Sequence, residues 1–234
     1  MDSRTAEYYT SHVKDATELY NSAKTGGIGK YFASSFPAGT TVLDIGCGSG
    51  RDMAILKLQG YDAYGIDPLP EMISHAVKTY PELKDRIKTA EFPAEGQYFN
   101  MAFDCILCSA VLMHITDDRI FDAAFTIRNN IKENGRLLIS IPVERPDVNE
   151  QGRVPDGRLF IMRPADYYVL LFERLGFRKI AYYEEADSLG REGVRWGVVV
   201  FNLDAATGSR SIDKIESILN RDKKTATYKL ALFR

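Results

Sequence analysis

The sequence is organised around the stretch Thr41–Asp52, TVLDIGCGSGRD. A short apolar run comes first, then three glycines at two-residue spacing, then a segment with helical periodicity. This order predicts a buried strand, a tight turn and the start of a helix. Glycine allows positive φ angles and close approach of a ligand to the main chain, and a helix start offers unpaired N–H groups. The stretch therefore predicts a place where a small ligand lies against bare backbone.

A carboxylate follows at the end of a second predicted strand, Asp62–Asp67. At that place Asp67 can accept hydrogen bonds from both hydroxyls of a ribose. Two cofactor classes use this layout: dinucleotides and S-adenosylmethionine. The dinucleotide fingerprint G-x-G-x-x-G would need a glycine where this chain has Arg51. The spacing here is instead G-x-G-x-G, with the acidic Asp44 two residues before the first glycine.

This pattern resembles the first motif of the class I S-adenosylmethionine-dependent methyltransferases, D-x-G-x-G-x-G, whose places are filled by Asp44, Gly46, Gly48 and Gly50. Asp67 matches that family's ribose-binding acid. The resemblance extends over about residues 5–203 in organisation, but its specific residues lie mainly in 41–67 and 103–114. It favours a methyltransferase over a dinucleotide enzyme because motif and context agree.

The resemblance implies an α/β fold: a Rossmann-like, doubly wound sheet of seven mostly parallel strands with an antiparallel last strand, and an N-terminal helical cap. It places the methyltransferase domain at residues 1–207, with the cap at 1–36 and a lid insertion at 142–160. Residues 208–234 are predicted to form a basic helical tail, which either docks on its own domain or a partner, or begins a further module.

The same resemblance assigns roles around the cofactor, S-adenosyl-L-methionine. Met72 would lie against the adenine, and Ser109 and Ala110 would border the methionine part. Many relatives place an Asp beside the adenine after the third strand, whereas this chain has Glu91 and Phe92. Either Glu91 takes that role or backbone groups contact the adenine alone. The predicted cofactor contacts are Tyr20, Asp44, Gly46, Cys47, Gly48, Gly50, Asp67, Pro68, Met72, Glu91, Phe92, Ser109 and Ala110.

His114 follows the fourth predicted strand, Phe103–Ser109, in an apolar loop. An ordinary histidine pKa of about 6.5 suits a general base, so His114 is the candidate catalytic residue. The alternative is a histidine that only makes structural hydrogen bonds. The loop lacks the N/D-P-P-Y/F signature of many adenine and glutamine N-methyltransferases.

The remaining pattern predicts helices and strands around this centre. One amphipathic helix is expected at 4–22. It packs on the sheet or, as in many relatives, forms a cap whose aromatics close over the cofactor, with Tyr8, Tyr9 and Tyr20 as the candidates. Pro142–Arg158 is polar and rich in Pro, Gly and Arg, and we interpret it as a substrate lid, whose arginines can hold an anionic substrate, in preference to a plain solvated loop. Trp196 is expected in the core. The other predicted elements are helices at 70–79, 117–132 (N-capped by Asp117) and 164–175, and strands at 86–90, 136–141, 177–183 and 194–203.

Composition limits the classes of protein that fit. The 234 residues, 45% of them apolar and 26% charged, can bury a large core. The net charge of −2 gives no general attraction to nucleic acid or anionic membranes. Residues 208–234 hold seven basic and three acidic side chains, a net of +4, which leaves −6 on residues 1–207. The N-terminus has no signal-peptide core and no run is long enough to span a bilayer, so a cytoplasmic location is expected.

The three cysteines, Cys47, Cys105 and Cys108, argue against a disulfide framework or a zinc site. On a strand Cys105 and Cys108 point to opposite faces, so we expect all three to be small core residues. The leading hypothesis is therefore an enzyme that methylates a small molecule, without a metal. Two alternatives stay open: a nucleic-acid methyltransferase, and a non-catalytic module that senses the cofactor or recruits a partner.

Overall fold

The computed structural model describes residues 1–22 and 27–204, and among these the side chains of Tyr20 and Asn21 are not described. Its centre is a seven-stranded sheet with the order β3-β2-β1-β4-β5-β7-β6. β1 to β5 are parallel where they pair, and β7 runs antiparallel to both β5 and β6. The predicted α/β sheet with an antiparallel last strand is confirmed. The strands are β1 Thr41–Ile45, β2 Asp62–Asp67, β3 Ile87–Thr89, β4 Phe103–Ser109, β5 Ile131–Glu144, β6 Phe177–Ala186 and β7 Arg195–Leu203.

Helices cover both faces of the sheet, as a doubly wound fold requires. One core cluster joins the sheet to α6 and α7, and a second joins it to α3, α4 and α5. Cys108 belongs to the first cluster and Cys105 to the second, so the two thiols lie on opposite faces as predicted. The helices are α1 Ser3–Ser11, α2 Val13–Asn21, α3 Phe32–Ser35, α4 Arg51–Leu58, α5 Pro70–Thr79, α6 Ile120–Asn130 and α7 Ala165–Glu173.

The prediction of one helix at 4–22 was wrong, because the chain breaks at His12 into α1 and α2. The Ser11 hydroxyl donates to the carbonyl oxygen of Glu7 at 2.5 Å, and His12 Nδ1 lies 3.0 Å from the carbonyl oxygen of Tyr8. Such local side-chain bonds compete with the helical ladder. Both helices nevertheless pack on α5, through Tyr9 and Ala16 against Met72.

The predicted cap of α6 was also wrong. The helix begins at Ile120, with Arg119 in the cap position. Asp117 instead accepts hydrogen bonds from Arg163, at 3.0 Å from Nε and 2.6 Å from Nη2. This ion pair anchors the chain entering α7 to the loop that follows β4.

The segment predicted as a lid is ordered rather than structureless. Residues 142–144 continue β5, and we call the remainder, residues 145–160, the lid segment. The amide of Ile161, directly after it, donates to the carbonyl of Met113 at 2.9 Å. The lid segment is also joined to α1: Arg153 contacts Asp2 at 2.8 Å, and the Leu159 amide donates to Thr5 Oγ1 at 2.9 Å. The N-terminal helices and the lid segment thus form one cap.

Other predictions fall outside what the structure describes. The predicted tail at 208–234 lies outside the described residues, as does the side chain of Tyr20. Within residues 1–22 and 27–204, no helix has the length and apolar character needed to cross a bilayer.

Candidate active site

A cavity of about 260 Å³ lies at the carboxyl ends of the central strands. β1 and β4 are neighbours there, at the point where the strand order reverses, and open α/β sheets bind ligands at that point. The structure brings ten of the predicted site residues to its wall: Gly46, Cys47, Gly48, Asp67, Pro68, Met72, Phe92, Ser109, Ala110 and His114.

The turn after β1 leaves its backbone uncovered toward the cavity. Gly48 has a φ of +50°, and a Cβ atom built on it would meet no atom within 4 Å. Gly46 is packed more tightly, since a Cβ there would lie 2.4 Å from Cγ2 of Val111. The amides of Gly46 and Cys47 both donate to the carbonyl of Ile66, at 2.8 and 3.0 Å. The turn is therefore held rigidly against β2 while one face of its backbone stays open.

Asp67 joins this turn to the end of β2. Its Oδ2 accepts from the Gly48 amide at 3.0 Å, and its Oδ1 accepts from the Leu69 amide at 3.0 Å. The side chain is thereby fixed at the cavity wall, and each carboxylate oxygen can accept a further hydrogen bond. This is the geometry expected of an acid that binds two neighbouring hydroxyls.

Burial sets the ionisation of Asp67. Only 7% of the residue is exposed, and this burial raises the pKa of its carboxyl to about 6, against the two amide hydrogen bonds that favour the charged form. The group is therefore largely ionised at pH 7 and protonated below pH 6. A carboxylate that accepts from hydroxyls works in the ionised form.

Three predicted contacts do not line the cavity. Asp44 is buried beneath the turn, where burial and the nearby charge of Asp52 raise the pKa of its carboxyl. Gly50 is needed for packing, because a Cβ there would lie 3.0 Å from Leu83. Glu91 is exposed, and its carbonyl accepts from the Tyr98 hydroxyl at 2.6 Å. Direct contact of these three residues with a cofactor stays a prediction, and their positions away from the cavity wall do not support it.

Ser140 is a site residue that the sequence pattern did not reveal. It pairs with Ser109 across β4 and β5, and the two hydroxyl oxygens are 3.0 Å apart. Its Oγ also accepts from the amide of Ala110, which has a φ of +55°. Ser140 thus fixes the turn that carries Ser109 and Ala110, and it lines the cavity with them.

His114 ends a short 3-10 helix, Leu112–His114, and lies at the cavity wall. Its Nδ1 is 2.5 Å from the carbonyl oxygen of Leu159, and since a carbonyl can only accept, Nδ1 carries the proton. Burial lowers the pKa of His114 to about 4, and the positive charges of Arg158 and Arg145 act in the same direction. The imidazole is therefore neutral at pH 7, with its lone pair on Nε2, and it is a weaker base than the ordinary pKa of about 6.5 led us to expect.

The lid segment supplies the opposite wall with Arg145, Arg158 and Phe160. Arg145 donates through Nε and Nη2 to Asp147, at 3.0 and 3.2 Å. Arg158 donates to Asp156 at 2.7 Å and to the Tyr9 hydroxyl at 3.0 Å. Carboxylates of the lid segment itself thus hold both arginines in place.

Trp196 lines the cavity, which corrects the expectation that it is a core residue. Its Nε1 donates to Asp187 Oδ1 at 2.9 Å, and Arg191 contacts the same oxygen at 2.6 Å. The indole is held at the start of β7, partly buried against the cluster of Met113, Val154 and Phe160, and the strand beyond it is buried throughout rather than alternating as expected. Within the part of the chain that the structure describes, no group of three or more His, Cys, Asp or Glu side chains is arranged to hold a metal ion.

Comparison with known proteins identifies this arrangement. A family model described as a methyltransferase domain matches residues 9–182. The chain belongs to the class I S-adenosylmethionine-dependent methyltransferases. Its matched region contains the glycine turn, Asp67 and His114, so the family match and the cavity coincide.

Among curated relatives, this methyltransferase is similar to the mitochondrial ubiquinone biosynthesis O-methyltransferase of Schizosaccharomyces pombe. The two are 32% identical over 106 residues, which are 44% of this chain and 38% of the relative. A ubiquinone biosynthesis O-methyltransferase of Xylella fastidiosa is 34% identical over 108 residues, which are 44% of this chain and 42% of that protein. The chain thus spans about two fifths of the length of these curated relatives.

Solved structures share the fold of this methyltransferase. Among them is the 1,6-didemethyltoxoflavin N1-methyltransferase of Burkholderia thailandensis, crystallised with 1,6-didemethyltoxoflavin and S-adenosylhomocysteine. Its TM-score is 0.64 at 19% identity, with coverage of 86% of this chain and 88% of that chain.

The described residues of this methyltransferase fit S-adenosylmethionine. Gly48 leaves the backbone open where a Cβ would intrude, and Asp67 presents acceptor oxygens beside it. The thioether of Met72 and the ring of Phe92 give the same cavity an apolar part suited to a planar base.

Proposed function

We propose that this protein transfers the methyl group of S-adenosylmethionine to a small-molecule acceptor, in the cytoplasm. The observation that carries the proposal is the open backbone at Gly48 beside the ionisable Asp67, within a cavity whose far wall is closed by the cap. The names of its relatives support it, because the toxoflavin enzyme and the ubiquinone biosynthesis enzymes bind or process small molecules.

We infer the following roles for the residues around the cofactor. Asp67 accepts from the ribose hydroxyls, and the uncovered turn at Gly46–Gly48 supports the methionine part beside Ser109 and Ala110. Met72 and Phe92 pack against the adenine, with Pro68 and Cys47 completing the wall. Backbone groups contact the adenine edge, because Glu91 is exposed and does not line the cavity.

The cofactor supplies a methyl group on a charged sulfur that is already activated for displacement. The protein therefore has to exclude water and to hold the acceptor atom in line with that methyl group. The cap serves the first task, because the contacts Asp2–Arg153 and Thr5–Leu159 join the lid segment to α1 and residues of both line the cavity. His114 is available to take a proton from an acceptor that has one to lose.

The lid arginines give nucleic-acid methylation little support. Arg153 pairs with Asp2, Arg158 with Asp156 and Arg145 with Asp147, so these three side chains do not form an uncompensated basic surface of the kind that a phosphate backbone needs. A role as a non-catalytic module predicts cofactor binding without turnover, and the test below distinguishes it. We propose that residues 1–207 form the methyltransferase domain and that residues 208–234 form a tail that contacts a partner or a second module.

Formation of S-adenosylhomocysteine tests the proposal directly. The full chain is incubated with S-adenosylmethionine and pools of hydroxylated and aminated small molecules, and in parallel with duplex DNA and with RNA. We expect acceptor-dependent product with at least one small-molecule pool. Product with nucleic acid only, or saturable cofactor binding with no product in any pool, contradicts the proposal.

A further inference from the structure

Three buried polar atoms of cavity-lining residues have no hydrogen-bond partner among the described residues: Oγ1 of Thr17, Nη1 of Arg145 and Nε2 of His114. Arg145 and His114 are each only 7% exposed, and both contact the ring of Phe160. A buried polar group without a partner costs free energy, so an unpaired atom in a native site indicates a missing partner. The unpaired atoms of Arg145 and His114 therefore indicate which hydrogen-bonding groups a ligand beside Phe160 carries.

Nε2 of His114 needs a hydrogen-bond donor, whereas Nη1 of Arg145 needs an acceptor. The proton of His114 is on Nδ1, where it is donated to the Leu159 carbonyl at 2.5 Å, so Nε2 can only accept. Arginine has no acceptor, so Nη1 of Arg145 can only donate. A ligand that satisfies both carries an O–H or N–H donor and an acceptor oxygen.

Phe160 contacts both groups. The Arg145 guanidinium carbon lies 4.1 Å from the centroid of the Phe160 ring, and the His114 ring lies 4.9 Å from it, edge to face. Tyr9 packs on the other side of His114 at 6.1 Å, and Trp196 also lines the cavity. Such walls favour a flat, aromatic occupant.

Charge favours an anionic group near Arg145. Arg145 and Arg158 both line the cavity, whereas their carboxylate partners Asp147 and Asp156 do not line it and are each about a third exposed. A planar guanidinium donates to a carboxylate with favourable, charge-assisted geometry. A carboxylate is thus a better partner for Arg145 than a neutral carbonyl.

We propose that the methyl acceptor is an aromatic hydroxy acid, whose carboxylate binds Arg145 and whose hydroxyl donates to His114. This rests on the proposed function and names its substrate class. In the reaction a lone pair of the hydroxyl oxygen forms the new O–C bond, and the methyl carbon–sulfur bond breaks with its electron pair going to sulfur. The hydroxyl proton goes to Nε2 of His114 and from there to solvent.

Ligand selectivity tests this substrate class. The full chain, saturated with S-adenosylhomocysteine, is titrated calorimetrically with 2-, 3- and 4-hydroxybenzoate, with the three hydroxybenzamides and with the three methoxybenzoates. We expect at least one hydroxybenzoate to bind roughly tenfold or more tightly than its amide and its methyl ether, because each lacks one charged or polar contact. Amides that bind as well as the acids, or no binding of any hydroxybenzoate at about 10 mM, overturn the proposal.

Two variants separate the two contacts. Arg145→Gln should lose the preference for acid over amide, and His114→Asn, which keeps a donor for the Leu159 carbonyl, should lose the preference for hydroxyl over methyl ether. Arg178→Gln, an exposed arginine on β6 paired with Asp204, is the control and should keep both preferences. Each loss should be roughly tenfold to a hundredfold.

Cofactor affinity, measured on the same proteins, separates this inference from the proposed function. We expect Arg145→Gln and His114→Asn to bind S-adenosylhomocysteine within about twofold of the original protein. If Arg145→Gln weakens the cofactor as much as the acid, Arg145 serves the cofactor and the inference fails. If the original protein binds no cofactor, the proposed function itself fails.

Discussion

At the residue scale, the glycine turn and Asp67 were predictable because they occupy contiguous motifs whose spacing carries the chemistry. Gly46, Gly48 and Asp67 reach the cavity wall where the pattern placed them. Arg145 and His114 could not be brought together from the sequence. Their proximity depends on the path of the lid segment, and on Leu159 accepting from His114 across 45 positions.

Gly48→Ala should weaken cofactor binding at least tenfold while costing only about 1–2 kcal/mol of stability. The new Cβ would enter open space rather than clash, and the stability cost comes from the positive φ of +50°. Titration with S-adenosylmethionine and urea unfolding measure the two effects. Gly96→Ala is the matched control, since Gly96 also has positive φ and open space but lies away from the cavity. Equal cofactor affinity of the two variants would remove Gly48 from the site.

Asp67→Asn should show that the ionised carboxylate of Asp67 lowers the stability of the folded protein. The native pKa of about 6 lies above the ordinary value of 3.8, so the native state holds the proton more tightly than the unfolded chain does. Stability from this group is therefore present below pH 4 and lost as the pH rises through 6, by up to about 3 kcal/mol.

The side chain of asparagine does not ionise, so Asp67→Asn does not lose this stability as the pH rises. In the protein without cofactor, urea unfolding at pH 4 and pH 7.5 should show the stability of Asp67→Asn relative to the original protein rising with pH. A relative stability that falls over this range would contradict a buried carboxylate with a raised pKa.

At the element scale, α5 and β4 have the bounds that the sequence predicted, 70–79 and 103–109. Pro70 at the first turn and a continuous apolar run are local signals, and local signals suffice there. The break between α1 and α2 escaped prediction because the apolar positions Ala6, Tyr9, Val13 and Ala16 keep helical spacing across it. The ordered conformation of the lid segment was not predicted, because it depends on contacts with residues at the start of α1, about 150 positions away in the sequence.

Arg153→Gln should loosen the cap without unfolding the sheet. It removes the bonds from Arg153 to both oxygens of Asp2, at 3.0 and 2.8 Å, which tie the lid segment to the start of α1. Hydrogen exchange should quicken at amides of residues 3–11 and 145–160 and stay unchanged in β1 and β4. Arg178→Gln, whose partner Asp204 lies at the far edge of the sheet, should alter neither region. Unchanged protection of the lid segment in Arg153→Gln would show that other contacts hold the cap.

At the scale of the whole molecule, fold class and cofactor type followed from the sequence because strand order and glycine turn are coupled in this family. The acceptor site did not follow, because it is assembled from the cap, the 3-10 helix Leu112–His114 and the start of β7. These parts are distant in the sequence and meet only in the tertiary structure. The proposed cofactor site is thus encoded by a local motif, whereas the proposed acceptor site depends on tertiary structure.

The most direct measurement is calorimetric titration of the full chain with S-adenosylmethionine at pH 7.5, comparing the original protein with Asp67→Ala and Asp62→Ala. Asp62, at the opposite end of β2, is half-buried and pairs with Arg86. We predict saturable binding to the original protein and to Asp62→Ala, and binding roughly tenfold to a hundredfold weaker to Asp67→Ala, which lacks the acceptor for the ribose hydroxyls. No heat from the original protein at millimolar cofactor, or equal affinity for Asp67→Ala, would contradict a cofactor site at Gly48 and Asp67.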